Sequence, residues 1–205
     1  MYKMNPLVTI ITSSYQRNKF LLERCIPSVQ NQTYKPIEHI IIHDGKNKKL
    51  ESKIKLLRFT KLFCLGRNWH VEMDKRSLGA IPRMVGTYLA KGKFCAYLDD
   101  DDEYLPGHVE KLVKLIQTKN VDFVLSQMKR FWSDGRSPDI IGNGKIEPRQ
   151  IGTPMILHKT ELVYYGNWDL ADNRDEDYYL VKKWVDSGRS YAFLPEVTSY
   201  YYKKV

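Results

Sequence analysis

The chain has 205 residues, 42% of them hydrophobic, and a formal net charge of +9. This length and apolar share fit one domain with a full hydrophobic core. No run of about 18 apolar residues exists to span a membrane, and residues 1–6 lead into a strand-like run rather than a signal-peptide h-region. Cys25, Cys64 and Cys95 are odd in number and widely spaced, which reads as reduced thiols in a soluble, cytoplasmic protein. The basic residues are dispersed, with short clusters such as Lys46–Lys49. Charge alone leaves open a solvated surface, an anionic ligand or a membrane surface.

In chain order, Leu7–Ile11 is a β-rich run. Phe20 to Gln30 carries apolar residues at helical spacing (Leu21, Leu22, Cys25, Ile26, Val29). Ile37–Ile42 reads as a buried strand, Leu50–Leu57 as a helix, Gly79–Lys91 as a helix and Phe94–Leu98 as a strand. Pro106–Gln117 follows as a helix with proline in its first turn. Strand and helix in alternation predict an α/β fold, with a mostly parallel central sheet flanked by helices. Ligands in such sheets bind beyond the carboxyl ends of the strands. Further on, Val121–Trp132, Ile151–His158, Tyr191–Leu194 and Thr198–Tyr202 read as strands, and Asp175–Asp186 as a helix. The pattern predicts one domain over 1–205, with a nucleotide-binding half (1–102) and an acceptor-binding half (103–205).

Asp99, Asp100, Asp101 and Asp102 directly follow the Phe94–Leu98 strand. Adjacent carboxylates repel, so a fold places them at a strand end chiefly where a cation or hydrogen-bond donors compensate. Hard cations such as Mn²⁺ and Mg²⁺ prefer oxygen ligands and keep contacts with substrate phosphates. The competing reading is a solvated acidic turn.

The segment "FCAYLDDDDEYLP", residues 94–106, resembles the strand, DxD motif and helix start of family 2 glycosyltransferases, which have the GT-A (Rossmann-like) fold. Other segments resemble that family in order. "VTIITSSYQR" (8–17) is similar to its first strand and nucleotide loop, and "LLERCIPSVQNQTY" (21–34) to its first helix. "IEHIIIHDG" (37–45) is similar to its second strand, with His43 where the first Asp of Asp-Asp-Gly is usual. "LGAIPRMVGTYLAKGKF" (78–94) matches at Arg83 and Gly86, with Met84 in place of Asn. "GTPMILHKTELVYYGNWD" (152–169) and "DEDYYLVKKWVDSG" (175–188) resemble the segments near the acceptor.

The resemblance implies roles. Ser13, Tyr15 and Asp44 would hold the uracil and ribose of a UDP-sugar, with UDP-glucose as default. Asp99 and Asp100 would lie near the ribose and phosphates, Arg83 near the diphosphate or the acidic cluster. Asp101, helped by Asp99, would bind Mn²⁺ or Mg²⁺. Inverting transfer needs one base to take the proton of the acceptor hydroxyl. The family motif puts it at Asp177, with Glu176 beside it; Asp172 and Asp175 read as helix-start acids favoured by the helix dipole. Trp168 and Tyr178 are candidates to stack on an acceptor sugar. His158 reads as a strand or pocket hydrogen-bond partner. The acceptor would be a glycan or glycoprotein hydroxyl, with no nucleic-acid partner expected. Rival readings are a nucleotidyltransferase, which would release pyrophosphate, and a non-catalytic module binding a nucleotide-sugar or nucleic acid. A Rossmann oxidoreductase is disfavoured, because Ile11 to Arg17 holds no glycine.

Overall fold

The computed structural model describes residues 4–57, 59–72, 79–168 and 175–203. β1 (Val8–Ser14) and β2 (Ile37–His43) are buried almost throughout, as befits central strands covered on both faces. They pair in parallel, Val8 opposite Ile37 and Ser14 opposite His43. β3 (Thr60–Cys64) adds in parallel to β2, and β4 (Phe94–Tyr97) in parallel to the other side of β1. The carboxyl ends of these strands therefore open toward one side.

Beyond β4 the sheet becomes mixed. β5 (Glu103–Tyr104), β6 (Phe123–Trp132), β7 (Asp139–Ile141), β8 (Ile156–Lys159) and β9 (Tyr191–Lys203) complete the order β3-β2-β1-β4-β8-β6-β9-β5, with β7 on β6. β8 runs antiparallel to both β4 and β6, whereas β6 and β9 are parallel. The parallel pairing predicted from the sequence thus holds for β1 to β4, and the antiparallel strand β8 joins these to the rest of the sheet.

Several boundaries differ for identifiable reasons. Of the expected strand Ile151–His158 only the end from Ile156 is a strand, because Thr153–Met155 forms a 3₁₀ turn around Pro154, which has no N–H for a ladder. Tyr191–Leu194 and Thr198–Tyr202 fuse into β9. Pro195 is accommodated where the register with β6 shifts, between the pairs Leu125–Phe193 and Gln127–Val197. The helix expected over Phe20 to Gln30 contains a π turn, Leu21–Cys25.

The helix Ala80–Leu89 packs on β1 and β2 through Gly86, where an added Cβ would lie 2.4 Å from Ile11 Cγ2 and 3.4 Å from Ile42 Cγ1. Both neighbours belong to central strands and have little room to move. Gly86→Ala is expected to lower unfolding stability by about 1–3 kcal/mol, the usual cost of overpacking. A urea titration checks this; an unchanged midpoint refutes it.

Candidate functional site

β1 leaves the sheet at Ser14, and the chain turns through Gln16 at φ 56° to place Arg17 beside the acidic run. The Tyr15 N–H donates to Asp100 Oδ2 at 3.1 Å. Arg17 Nη1 lies 2.8 Å from Asp101 Oδ2 and 3.6 Å from Asp100 Oδ1. Arg24 donates to the Asp101 carbonyl at 2.6 Å, its guanidinium 3.6 Å from the Tyr202 ring centre. Asp102 turns inward: Oδ1 accepts from the Tyr202 N–H at 2.9 Å, while buried Oδ2 has no hydrogen-bond partner among the described residues. The four carboxylates thus do different things. Burial, then the neighbouring Asp101 charge, pushes Asp100 up to about 7. Burial and the adjacent carboxylates hold Asp102 well above the ordinary range.

Directly after β2, Asp44 Oδ1 accepts from the Trp69 N–H at 2.9 Å. His43 sits one residue before it, its Nδ1 bonded to the Gly45 carbonyl (2.9 Å) and its Nε2 to Asn47 Nδ2 (3.0 Å). The histidine therefore fastens the turn that presents Asp44.

Arg83 is the central cation, only 4% exposed. Its Nη2 donates to Asp99 Oδ1 at 2.6 Å and its Nη1 to Glu176 Oε1. Burial alone would weaken the guanidinium, but Asp99, Glu176 and Asp177 together raise its pKa. Gly79, at φ 94°, allows this approach: a side chain there would meet Ser13 Oγ at 2.8 Å and Arg83 Nη1 at 3.2 Å.

The helix Glu176–Asp186 brings up the remaining carboxylates. Asp177 Oδ2 accepts from the Thr153 N–H at 3.0 Å, and Oδ1 from the Thr153 hydroxyl at 2.9 Å. Burial raises Asp177 to about 6, against the opposing pull of Arg83. Burial likewise raises Glu176, to about 8. One buried cation faces three nearby carboxylates, which is why Glu176 is raised despite its bond to Arg83.

Two clefts meet here. The first, about 470 Å³, is lined by Ser13, Tyr15, Arg17, Asp44, Arg83, Asp99 and Asp100 among others. The second, about 810 Å³, includes Asp101, Thr153, Asp175, Glu176, Asp177 and Tyr202. Arg17, Arg83 and Asp99 line both. The residues assigned to donor, metal and base therefore gather around one junction.

The two aromatic candidates do not join them. Trp168 is 3% exposed and packs edge-on to Tyr97, with the Arg83 guanidinium 4.8 Å from its ring centre. It supports Arg83 from below and offers no face to a sugar. Tyr178 packs on the core beside Tyr179 and lines neither cleft. His158 bonds Tyr97 Oη through Nε2 at 2.8 Å, as a buried hydrogen-bond partner should. Asp172 lies outside the described residues. The sequence reading assigned no role to Arg17, Arg24 or Thr153. For Arg17 a signal existed, a basic residue closing the first strand loop; Thr153 meets Asp177 only through the fold.

Comparison with known proteins places this geometry. The profile described as Glycosyl transferase family 2 matches residues 9–166. An uncharacterized glycosyltransferase of Methanocaldococcus jannaschii is 33% identical over 125 residues, which cover 59% of this chain and 41% of that protein. The structure of S. aureus TarS in complex with UDP-GlcNAc superposes with a TM-score of 0.75 at 18% identity, covering 97% of this chain and 59% of TarS. The mannosyltransferase PcManGT from Pyrobaculum calidifontis, in complex with GDP-Man and Mn²⁺, gives 0.69 at 14% identity, covering 96% and 57%. These superpositions establish the GT-A fold. The chain spans 19%, 41% and 33% of the length of three curated relatives it matches. With the family profile aligned over well over half of its residues, on a GT-A fold whose clefts meet at the acidic strand end, this chain belongs to glycosyl transferase family 2.

Proposed function

We propose that the chain is an inverting glycosyltransferase that moves a sugar from a UDP-sugar to a hydroxyl of a glycan or glycoprotein. The observation that carries this reading is the junction of two clefts at Arg83 and Asp99, with the Asp177 carboxylate in the second cleft. In this reading Ser13, Tyr15 and Asp44 receive uracil and ribose in the first cleft. The acceptor lies in the second. Asp177 takes the proton of the acceptor hydroxyl as its oxygen bonds to the anomeric carbon. The bond from that carbon to the diphosphate breaks on the opposite side, and its electron pair leaves with UDP, so the carbon inverts. Arg83, reaching both clefts, offers positive charge to the leaving group. UDP-glucose is the default donor, although TarS was solved with UDP-GlcNAc. The expected place of action is the cytoplasm. No helix among the described residues is long and apolar enough to cross a membrane, and the three cysteines are free.

The acidic run has the chemistry for a hard divalent cation. Asp99 to Asp102 are four carboxylates with two cations, Arg17 and Arg83, in ion pairs with them. Asp101 is held by Arg17, whose side chain is 44% exposed. An ion that takes one or two carboxylates plus substrate phosphates needs no cage of three or more protein ligands, and none stands among the described residues. Asp101 and Asp99 would hold Mn²⁺ or Mg²⁺, which when bound supplies positive charge to the departing diphosphate.

Calorimetry of UDP with and without Mn²⁺ tests the donor and metal assignments together. Wild type is expected to bind UDP at least about ten-fold more tightly with Mn²⁺, a difference of about 1.4 kcal/mol. Asp101→Ala should lose that gain. A variant with wild-type affinity and metal dependence removes Asp101 as ligand; a wild type that ignores UDP removes the donor assignment.

A further inference from the structure

Away from both clefts, one edge of the sheet has a composition that glycosyl transfer does not explain. β3 is the edge strand of the nucleotide half, and the helix Lys48–Ile54 precedes it. Lys46, Lys48, Lys49, Lys53 and Lys55 are all exposed, and Glu51 is the one acid between them. Among the described residues none of these five lysines stands in an ion pair, whereas Lys61 on β3 is held by the buried Glu38. Beside them, Lys19, Lys49 and Lys53, with Glu23, ring a hollow of about 280 Å³ floored by Leu22 and Leu50.

The same edge exposes large apolar side chains. Leu56 is 85% exposed, Phe59 68% and Phe63 39%. Phe59 also adopts φ 64°, a left-handed conformation unfavourable for a bulky residue with a Cβ.

We infer that this edge docks the protein on an anionic lipid bilayer. Clustered lysines are attracted to the negative surface of anionic membranes, and adjacent Leu and Phe side chains gain by entering the interface. Lysine is a compact point charge on a flexible stem, suited to a diffuse field of headgroups rather than to bidentate recognition of one partner. A nucleic-acid backbone would use the lysines but not Leu56 and Phe59. The patch sits at β3, whereas the acceptor groove lies at β6 and β9 across the sheet, so docking leaves that groove open. This inference does not depend on which sugar is moved.

Co-sedimentation with phosphatidylglycerol–phosphatidylcholine vesicles, against pure phosphatidylcholine vesicles, is the test. Wild type should sediment with the anionic vesicles alone and be released by salt. Each lysine near such a surface strengthens binding about fivefold, so the triple variant Lys49→Gln, Lys53→Gln, Lys55→Gln should weaken it by about 100-fold. A second variant, Leu56→Gln with Phe59→Asn, keeps the charge and suits the left-handed backbone, since Asn tolerates it. It should weaken binding by at least about ten-fold. UDP binding by both variants should match wild type, which shows that they are folded. No binding to anionic vesicles at low salt, equal binding to both vesicle types, or unweakened binding by either variant overturns the inference. So does a single-stranded RNA probe that binds the patch and is not displaced by anionic vesicles.

Discussion

Asp177→Asn is expected to lower sugar transfer by about 10²- to 10⁴-fold, the usual contribution of a positioned base. The substitution keeps the shape and most of the contacts. The Thr153 N–H can still donate to the new amide oxygen, and the Thr153 hydroxyl can rotate to accept from the amide nitrogen, replacing the 3.0 Å and 2.9 Å bonds to the carboxylate. UDP binding, served by the other cleft, should therefore be nearly unchanged. The wild-type pH profile supplies a second readout. Burial lifts Asp177 to about 6, and a base works only when ionised. The transfer rate should therefore fall about tenfold per pH unit below pH 6 and level off above it. Glu176→Gln should cost less, because Glu176 pairs with Arg83 and in this reading only supports its neighbour. The measurement is initial rate and UDP affinity on the same preparations, with the anomeric configuration of the product determined. A wild-type rate in Asp177→Asn moves the base to Glu176 or Asp175, and a product of retained configuration removes the single-step mechanism altogether.

The parts of the fold that sequence could foretell are those whose burial is uniform. β1, β2 and β4 are buried along almost their whole lengths because both faces are covered, and the apolar runs within them were legible as strands. β3 was not, because an edge strand alternates: Thr60 is buried while Lys61 and Phe63 are exposed, and the segment follows a helix without a clear break. β9 was legible only in two pieces, since Pro195 and Glu196 interrupt the pattern and their accommodation depends on a register shift against β6. A shift of that kind belongs to the pair of strands rather than to either one.

The same distinction governs the site. The acidic run announces itself because four adjacent carboxylates at a strand end demand compensation. What the sequence cannot say is how they divide the work. Asp102 turns inward to hold the β9 backbone at Tyr202, Asp100 fastens the Tyr15 loop, and Asp99 and Asp101 remain toward the clefts. Adjacent residues point different ways once the strand ends and the chain turns. Trp168 misled for a related reason. An aromatic residue near an acidic segment suits a sugar, yet Trp168 is buried, in T-shaped contact with Tyr97 and beside the Arg83 guanidinium.

Arg83→Met is expected to destabilise the protein by about 3–5 kcal/mol, the range found when one partner of a buried ion pair is removed. The guanidinium is the cation shared by Asp99 and Glu176, and it also lowers the pKa of Asp177. Without it, burial and mutual repulsion push Glu176 above its present value of about 8. The sign of the pH dependence follows. A carboxyl group whose folded pKa is raised binds more protons when folded, so its contribution to stability is complete below its unfolded pKa, near 4.5, and is lost as pH rises toward the folded value. Asp177, now held at about 6 against the pull of Arg83, rises in the same way, so the gap between variant and wild type should widen from pH 5 to pH 8 through Asp177 and further above pH 8 as Glu176 ionises in wild type alone. Urea titrations at the two pH values read this directly. Activity carries an independent signature: with Asp177 released from the Arg83 field, the acid limb of any residual transfer should move above pH 6. Arg83→Lys separates charge from shape, because an ammonium restores the positive charge but does not reproduce the planar fork that reaches Asp99 and Glu176 together. It should recover part of the stability and leave transfer well below wild type. Equal stability of Arg83→Met and wild type at pH 8, or an acid limb that stays in place, would show that Arg83 does not set the charge balance of the junction.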